Sequence, residues 1–457
     1  MSYSSNELEK WYKFERSLSN PVSKNLPQDL HNRNEFIINR SWQSDMNVLI
    51  LCDGKIFPPI GGGPEHIYEL VKGMSVNNTV DVVTWGDKWG TSESYSIVKG
   101  NLRIFHYGVV QSPMWTMKNN LPLTLREAIW SLGGANFFDL LFNKSPPLHK
   151  VTNDLRQSYD LVINLAPNTN KIKKFYKSGY NKTIELFISV GLPNYISNLD
   201  EWLKFIGHNS LLNVLTNTKI NTLIDFIVTW FEARTVSAKT VICVSGRDVE
   251  KLRPFVRANV KHTLPPTTES KLIKKPESII SDMQRRKKVL FFSVKGIVSD
   301  IAIKYILTIA KDITWADFFI TGYAQKPLKT KEIKSNINSM GYIPDKEFEE
   351  LIVDSDVIVF PLVSGSGVQT KIIKAMSFGK AIITTSIVSQ PFEGLVSGRE
   401  MVIEDSPKRF KERLVELLLD DDLRSKISKG SLDYYRRNLS QEVLIKKNLI
   451  VYGIETA

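Results

Sequence analysis

Uninterrupted apolar runs recur along this chain from residue 46 onward, and segments with the spacing of amphipathic helices separate them. The first run, at 46–52 (MNVLILC), is typical of a strand buried on both faces of a parallel sheet. A Pro/Gly turn and the helical segment EHIYELVKGM follow it. Later strands of this series are predicted at 79–85, 102–108, 160–165, 183–193 and 240–245.

The pattern restarts behind a basic, proline-containing stretch near residues 265–285. A new buried strand at 285–294 opens a second series, in which strands and helices again alternate. Such alternation predicts parallel sheets with helices on both faces. We therefore predict an α/β protein made of two tandem Rossmann-like, doubly wound domains.

The two series also predict how the chain is divided. Residues 1–45 form a polar, Asn/Ser-rich extension, and the first domain is expected over 46–270. The second domain is expected over 280–440. Residues 441–457 are expected to form a C-terminal helix that packs back on the first domain.

Two segments of the first half are unusually apolar and aromatic, at 111–150 and 202–232. The simpler interpretation is that they are helices packed on the first sheet. The alternative is a surface for a lipid-bearing substrate or for a membrane.

The net charge and the two cysteines limit the kinds of ligand and compartment that we expect for this protein. The chain of 457 residues carries a formal charge of +12, which favours anionic small molecules, acidic lipid surfaces or nucleic acid. Nucleic acid is not expected, because no dense Lys/Arg run with interleaved aromatic residues is present. Cys52 and Cys243 lie in apolar runs and are expected to be inert core thiols, as in a reducing compartment. Without a signal-like segment or an apolar run of about 18 residues, we expect a cytoplasmic protein, with peripheral contact to the inner face of a membrane left open.

A first glycine-rich loop follows the first strand. In FPPIGGGPEH, the residues Gly61, Gly62 and Gly63 let the backbone approach a ligand, and the N–H groups of the next helix can bind an anion. The loop has neither the GK[ST] ending of a Walker A loop nor the GxGxxG dinucleotide fingerprint. A plain tight turn is an equally good interpretation of this segment alone.

A second glycine-rich loop, in VSGSGVQTKIIKAM, follows the predicted strand 356–362 and leads into a helix expected to start near Val368. Open α/β sheets bind ligands at this edge. Lys371 and Lys374 lie one turn apart on the polar side of that helix. They form either a solvated face or a site where a phosphate offsets their charge.

Several ordered motifs resemble the GT-B glycosyltransferases, in particular the retaining nucleotide-sugar transferases of family 4. The stretch SDVIVFPLVSGSGVQTKIIKAMSFGKAIITT is similar to the family pattern D-V-x-V-x-P, then G-x-G-x-x-x-K-[IV]-[LI]-E-A-[ML]-x-x-G. The segments GYIPDKEFEELIVDSD and FPPIGGGPEH match further family segments. The resemblance spans about residues 46–455 and is strongest over 285–425.

This resemblance implies two domains that face each other across a cleft, with the nucleotide diphosphate held mainly by the second. Protein cations and helix dipoles replace a metal in this family, so no metal and no cofactor are expected. The residues implied to contact the nucleotide sugar are Gly61, Gly62, Gly63, Tyr342, Ile343, Gly365, Ser366, Gly367, Val368 and Lys371.

Three departures from the family pattern are visible. Lys374 stands where the family has a glutamate that accepts hydrogen bonds from ribose, and lysine has only donors. After the first strand of the second domain, the family often has an Arg and a Lys that bind the diphosphate, and this chain has Lys295 there. On the acceptor side, Asn164 lies where a histidine is expected, while His66 matches a helix-entry position. Lys374 is an alternative diphosphate ligand, and Glu393 is then a candidate for ribose or sugar, or a plain loop carboxylate.

The sequence therefore predicts a glycosyltransferase that moves a sugar from a nucleotide-diphosphate donor to a glycan, lipid-linked or protein acceptor with retention. Lys295, Lys374 and Glu393 are its candidate catalytic residues. The alternative is a catalytically silent GT-B subunit that binds or scaffolds a second glycosyltransferase. A GT-B epimerase or another nucleotide-binding α/β enzyme is the remaining option.

Overall fold

The structure is a computed structural model that describes residues 46–53, 56–57, 62–85, 94–107, 154–156, 158–165, 182–187, 194–195, 197–207, 219–236, 238–266, 285–293, 297–322, 335–341, 343–365 and 367–455. The predicted N-terminal extension, the apolar segment 111–150 and four predicted site residues lie outside these ranges. Those four residues are Gly61, Lys295, Tyr342 and Ser366.

Strands and helices alternate along most of the described chain. The strands are β1 (Asn47–Asp53), β2 (Thr79–Trp85), β3 (Tyr95–Lys99), β4 (Leu102–Tyr107), β5 (Leu161–Asn164), β6 (Lys182–Phe187), β7 (Asn194–Tyr195), β8 (Thr240–Cys243), β9 (Asn259–His262), β10 (Lys287–Ser293), β11 (Ala316–Gly322), β12 (Ile337–Gly341), β13 (Val357–Phe360), β14 (Ser364–Gly365), β15 (Ala381–Thr384) and β16 (Val402–Ile403). The helices are α1 (Gly62–Met74), α2 (Leu199–Phe205), α3 (Lys219–Thr235), α4 (Gly246–Leu252), α5 (Ile297–Ala310), α6 (Asp345–Asp354), α7 (Thr370–Ser377), α8 (Ser386–Ser389), α9 (Pro407–Leu419), α10 (Asp421–Tyr434) and α11 (Gln441–Tyr452).

Two sheets carry the fold. The first has eight strands in the order β3-β4-β2-β1-β5-β6-β8-β9, and only its edge strand β3 pairs antiparallel. The second has six strands in the order β12-β11-β10-β13-β15-β16, all parallel. The central strands are apolar without interruption because helices cover both faces. The predicted α/β architecture of two doubly wound sheets is confirmed.

Two helices cross between the halves. α2 precedes β8 in the chain, yet Leu199, Trp202 and Leu203 pack into the core of the second sheet. The expectation that the segment 202–232 packs on the first sheet is therefore wrong for α2. An apolar helical face indicates burial but does not identify the partner.

The C-terminal helix α11 crosses in the opposite direction. Leu449 and Tyr452 lie in the core of the first sheet. Gln441 donates a hydrogen bond of 2.5 Å to Glu69 on α1, and Lys182 on β6 donates one of 2.7 Å to the carbonyl of Tyr452. The second bond satisfies a carbonyl at the end of α11, which helices leave without an intrahelical partner.

One face of α3 is apolar and open to solvent. Leu223, Phe226, Ile227 and Trp230 have i, i+3, i+4, i+7 spacing, and their exposed fractions lie between 38% and 58%. Within the described ranges, no helix has the length and hydropathy needed to cross a membrane.

Both cysteines are buried, and burial raises the pKa of Cys243 to about 12. Their expected place in the core is confirmed.

Candidate functional site

The second glycine loop lies at the switch point of the second sheet. β10 is followed in the chain by β11 on one side of it, whereas β13 lies on its other side. The loops after β10 and β13 therefore diverge at the carboxyl edge of the sheet and leave a crevice between them. Such crevices are the usual ligand sites of open α/β sheets. The β13 loop reaches α7, which begins at Thr370, close to the predicted start near Val368. Gly367, with a positive φ of 64°, turns the chain just before the helix.

A short antiparallel ribbon fixes this loop. β14 pairs with β7 of the first half, with Ser364 opposite Tyr195 and Gly365 opposite Asn194. Ser364 is only 1% exposed. The ribbon therefore holds the glycine loop against the first half of the chain, at the mouth of the crevice.

Val368 has a packing role in addition to the predicted one. Its side chain packs against both hydrophobic cores. Only its backbone can therefore face a ligand, while its side chain helps to keep the two sheets in one arrangement.

Lys371 is the second residue of α7 and is half-buried. Burial lowers the pKa of its amine to about 8. The positive end of the helix dipole adds to the cost of a charge at this position. A bound phosphate would offset both costs, which a fully solvated face would not require. The structure therefore favours the second of the two interpretations of Lys371.

A cleft connects the glycine loop with the first half of the chain. The wall of this cleft from the first half of the chain was not predicted, although the run GRD comes directly after the predicted strand at 240–245. The cleft is lined by Ser245, Arg247, Asp248, Gly365, Gly367, Ile387, Gln390 and Pro391.

Glu393 lies beside this cleft, in the loop after α8. Its carboxylate is 3.2 Å from Nδ1 of His262 at the end of β9, and its side chain is 83% exposed. Its carbonyl accepts a hydrogen bond of 2.8 Å from the hydroxyl of Tyr434. Glu393 therefore connects the two halves of the chain.

The acceptor-side candidates lie at the corresponding edge of the first sheet. α1 begins at Gly62 after the first glycine loop and carries His66, which is 8% exposed. Nδ1 of His66 is 2.8 Å from the carbonyl of Pro266, and burial lowers the pKa of the ring. Nδ1 therefore carries the proton of the neutral ring, because a carbonyl only accepts. Asn164 is buried at the end of β5, opposite Leu51 of the neighbouring β1.

Comparison with known proteins addresses the function of this arrangement. Residues 287–420 match the family described as glycosyl transferases group 1. An uncharacterized glycosyltransferase of Methanocaldococcus jannaschii is 21% identical over 429 residues, which cover 87% of this chain and 96% of that protein. The second domain is a group 1 glycosyltransferase domain.

Solved structures agree on the fold. Sucrose-phosphate synthase from Thermosynechococcus elongatus aligns with a TM-score of 0.58 at 12% identity, over 90% of this chain and 98% of that one. Anabaena HepE in complex with UDP-glucose aligns with a TM-score of 0.57 at 13% identity, over 90% of this chain and 100% of that one. The chain has the GT-B fold, as its resemblance predicted.

Within this GT-B domain, Lys374 is engaged by α6. Its amine lies 3.5 Å from the carboxylate of Glu349 and 5.1 Å from the ring centre of Phe348. Reaching a diphosphate would require the loss of both contacts. A carboxylate is nevertheless present beside α7, because Glu349 on α6 supplies it. Ile343, the described residue implied to contact the base, lies just before α6 and packs on the core of the same domain.

The ion pair between Lys374 and Glu349 is expected to stabilise the packing of α6 on α7. Lys374→Glu places two carboxylates side by side, whereas Lys374→Glu combined with Glu349→Lys restores the pair in reverse. We expect a coupling of about 0.5–1 kcal/mol, because both side chains are only partly exposed. Urea denaturation of the wild type, both single variants and the swap measures it.

A control for this cycle is the exposed pair Lys346 and Glu350 on α6, at 3.9 Å. Lys346→Glu is expected to change the unfolding free energy by less than about 0.5 kcal/mol. A coupling of zero between Lys374 and Glu349 would show that the pair does not stabilise the domain.

Proposed function

We propose that this protein transfers a sugar from a nucleotide-diphosphate donor to a glycan, lipid-linked or protein acceptor, with retention of anomeric configuration. The observation that carries the proposal is Lys371, a desolvated cation at the start of α7 beside a glycine loop. A bound phosphate would offset the cost of a desolvated charge at this position. Support also comes from Anabaena HepE, a GT-B neighbour whose structure contains UDP-glucose.

The proposed chemistry is electrostatic. As the bond between sugar and diphosphate breaks, negative charge develops on the leaving phosphate. Preorganised cations and N–H groups in a site with little water stabilise that charge strongly. Lys371 supplies the cation, and the backbone at Gly365 and Gly367 supplies close approach. No metal enters this proposal.

The acceptor is assigned to the first domain. Nε2 of His66 is buried and has no hydrogen-bond partner among the residues that the structure describes. With the proton on Nδ1, Nε2 is an acceptor that an incoming hydroxyl group would satisfy. His66 and Asn164 are therefore the proposed acceptor-side residues.

The experiment that tests the proposal is a panel of nucleotides. We expect UDP, GDP, ADP or dTDP to raise the melting temperature, and the matching nucleotide sugar to be hydrolysed slowly without an acceptor. A ligand at 100 times its Kd stabilises by about 2.7 kcal/mol. The corresponding monophosphate serves as the control and should shift the melting temperature less. No shift with any diphosphate would overturn the proposal.

The second candidate is a catalytically silent subunit. It is favoured by one observation, that Glu349 and Phe348 hold Lys374 away from a donor role. A silent subunit would bind no nucleotide sugar productively and would co-purify with a second, intact glycosyltransferase. Nucleotide-sugar hydrolysis by the isolated chain would exclude it.

A cytoplasmic position with peripheral contact to an anionic membrane is part of the proposal. The exposed apolar face of α3 supports it, as does the cation at Arg234, which lies 4.4 Å from the ring centre of Trp230. Sedimentation with anionic vesicles at low salt measures this contact, and failure to sediment would remove it.

A further inference from the structure

We propose that Arg247 forms an anion site that spans the cleft and binds a phosphate-type group together with the glycine loop of the second domain. The inference rests on the proposed function, because it adds an anion-binding side chain from the first domain to the same site. Arg247 lies outside the sequence motifs that resemble the glycosyltransferases.

The position of Arg247 follows from the strand before it. β8 ends at Cys243, at the carboxyl edge of the first sheet, and α4 begins three residues later. Ser245 caps α4 by accepting a hydrogen bond of 3.2 Å from the backbone N–H of Asp248. This cap fixes the turn that carries Arg247 into the cleft, where it lies with Gly365 and Gly367.

The guanidinium of Arg247 is half-buried, and desolvation lowers its pKa. Among the residues that the structure describes, none makes a hydrogen bond or a close ion pair with it. Arg103 shows the opposite behaviour, since its bonds to Asp81 raise its pKa. A desolvated cation without a partner is costly, and an incoming anion would remove that cost.

The nearby carboxylates do not fill this role. Asp225 pairs with Lys251 at 2.8 Å, and Asp248 accepts a hydrogen bond of 2.7 Å from the hydroxyl of Ser245. Glu250 is exposed on the next turn of α4. Desolvation lowers the pKa of Arg247, and these three acids offset only part of that effect, so its five N–H donors remain available to a ligand.

The opposite wall suits an anion as well. A Cβ added to Gly365 would meet no atom closer than Nε2 of Gln369, at 3.5 Å, so the backbone there is open to close approach. Gln390 adds an amide side chain to the lining. Guanidinium on one side and glycine backbone on the other are the usual components of phosphate recognition.

Two sources could supply such an anion, namely the diphosphate of the donor and an anionic group of the acceptor. Their shared chemistry is a phosphate-type anion. Competition between UDP and inorganic pyrophosphate distinguishes the two sources.

The test is calorimetric titration of UDP and of pyrophosphate into the full chain and into Arg247→Gln. We expect Arg247→Gln to weaken pyrophosphate binding by roughly 10- to 100-fold, the effect of losing a charge-assisted contact. Arg247→Lys keeps the charge but not the fork geometry and should bind with intermediate affinity. The matched control is Arg253→Gln, an exposed arginine just after α4, which should bind as the wild type does.

Each outcome decides a separate point. Displacement of pyrophosphate by UDP assigns the anion to the donor, and simultaneous binding assigns it to the acceptor. If the wild type binds pyrophosphate but none of UDP, GDP, ADP and dTDP, the proposed function fails while the Arg247 site stands. If Arg247→Gln is folded by circular dichroism and binds both ligands as the wild type does, or if the wild type binds neither, the Arg247 site is wrong.

Discussion

Lys371→Met is expected to weaken binding of the nucleoside diphosphate at pH 7 by roughly 10- to 100-fold while raising the stability of the ligand-free protein. The first effect follows from the loss of a charge-assisted contact in a desolvated site. The second follows from burial, which lowers the pKa of Lys371 to about 8 and so penalises its charged form at neutral pH. The stability gain should be on the order of 1–3 kcal/mol. Calorimetric titration and urea denaturation measure the two effects.

The same residue predicts how pH acts on the wild type. Below about pH 8 the amine of Lys371 is charged before the ligand arrives, so affinity is highest there. As the pH rises through 8 the free amine loses its proton, and binding then requires proton uptake. Affinity should therefore fall between pH 7 and pH 9, with proton uptake visible in buffers of different ionisation enthalpy. Lys371→Arg is the control, because arginine stays charged and the pH slope should vanish. An equal slope in both proteins would contradict the assignment.

The sheets could be predicted from sequence because parallel strands buried on both faces are continuous apolar runs. β1, β2 and β13 were predicted within one or two residues for this reason. β3 was not predicted. It is an antiparallel edge strand with exposed residues such as Val98, so it lacks that pattern. The position of α2 on the core of the second sheet depends on tertiary packing, which local patterns do not encode.

The candidate site was predicted only in part, for a related reason. The glycine loop at Gly365 and Gly367 is a local signal and could be located from its strand and helix. The sequence allows two interpretations of Lys371, because a helical wheel does not show whether a neighbouring element removes water from the amine. The partner of Lys374, Glu349, lies on another helix. Arg247 lies more than 100 residues away from the loop that it faces, so only the fold brings them together.

The packing of α2 leads to a second large effect, on stability. Trp202 is fully buried, with its ring centre 4.5 Å from that of Tyr305 and 5.7 Å from that of Phe410. Its indole N–H donates a hydrogen bond of 2.5 Å to the carbonyl of Asp405. Trp202→Ala is expected to lower the free energy of unfolding of the second domain by about 3–5 kcal/mol. The melting temperature of that domain should fall by roughly 6–20 °C.

Hydrogen exchange identifies which domain the substitution affects. Because α2 packs on the second core, Trp202→Ala should speed amide exchange in β10 and β13 and leave β1 and β2 nearly unchanged. Trp202→Phe keeps much of the ring packing and loses the indole donor, so a smaller loss of about 1–2 kcal/mol is expected. The matched control is Trp230→Ala on the exposed face of α3, where the loss should stay below about 1 kcal/mol. Faster exchange in β1 and β2 instead would mean that α2 stabilises the first domain, contrary to the packing described above.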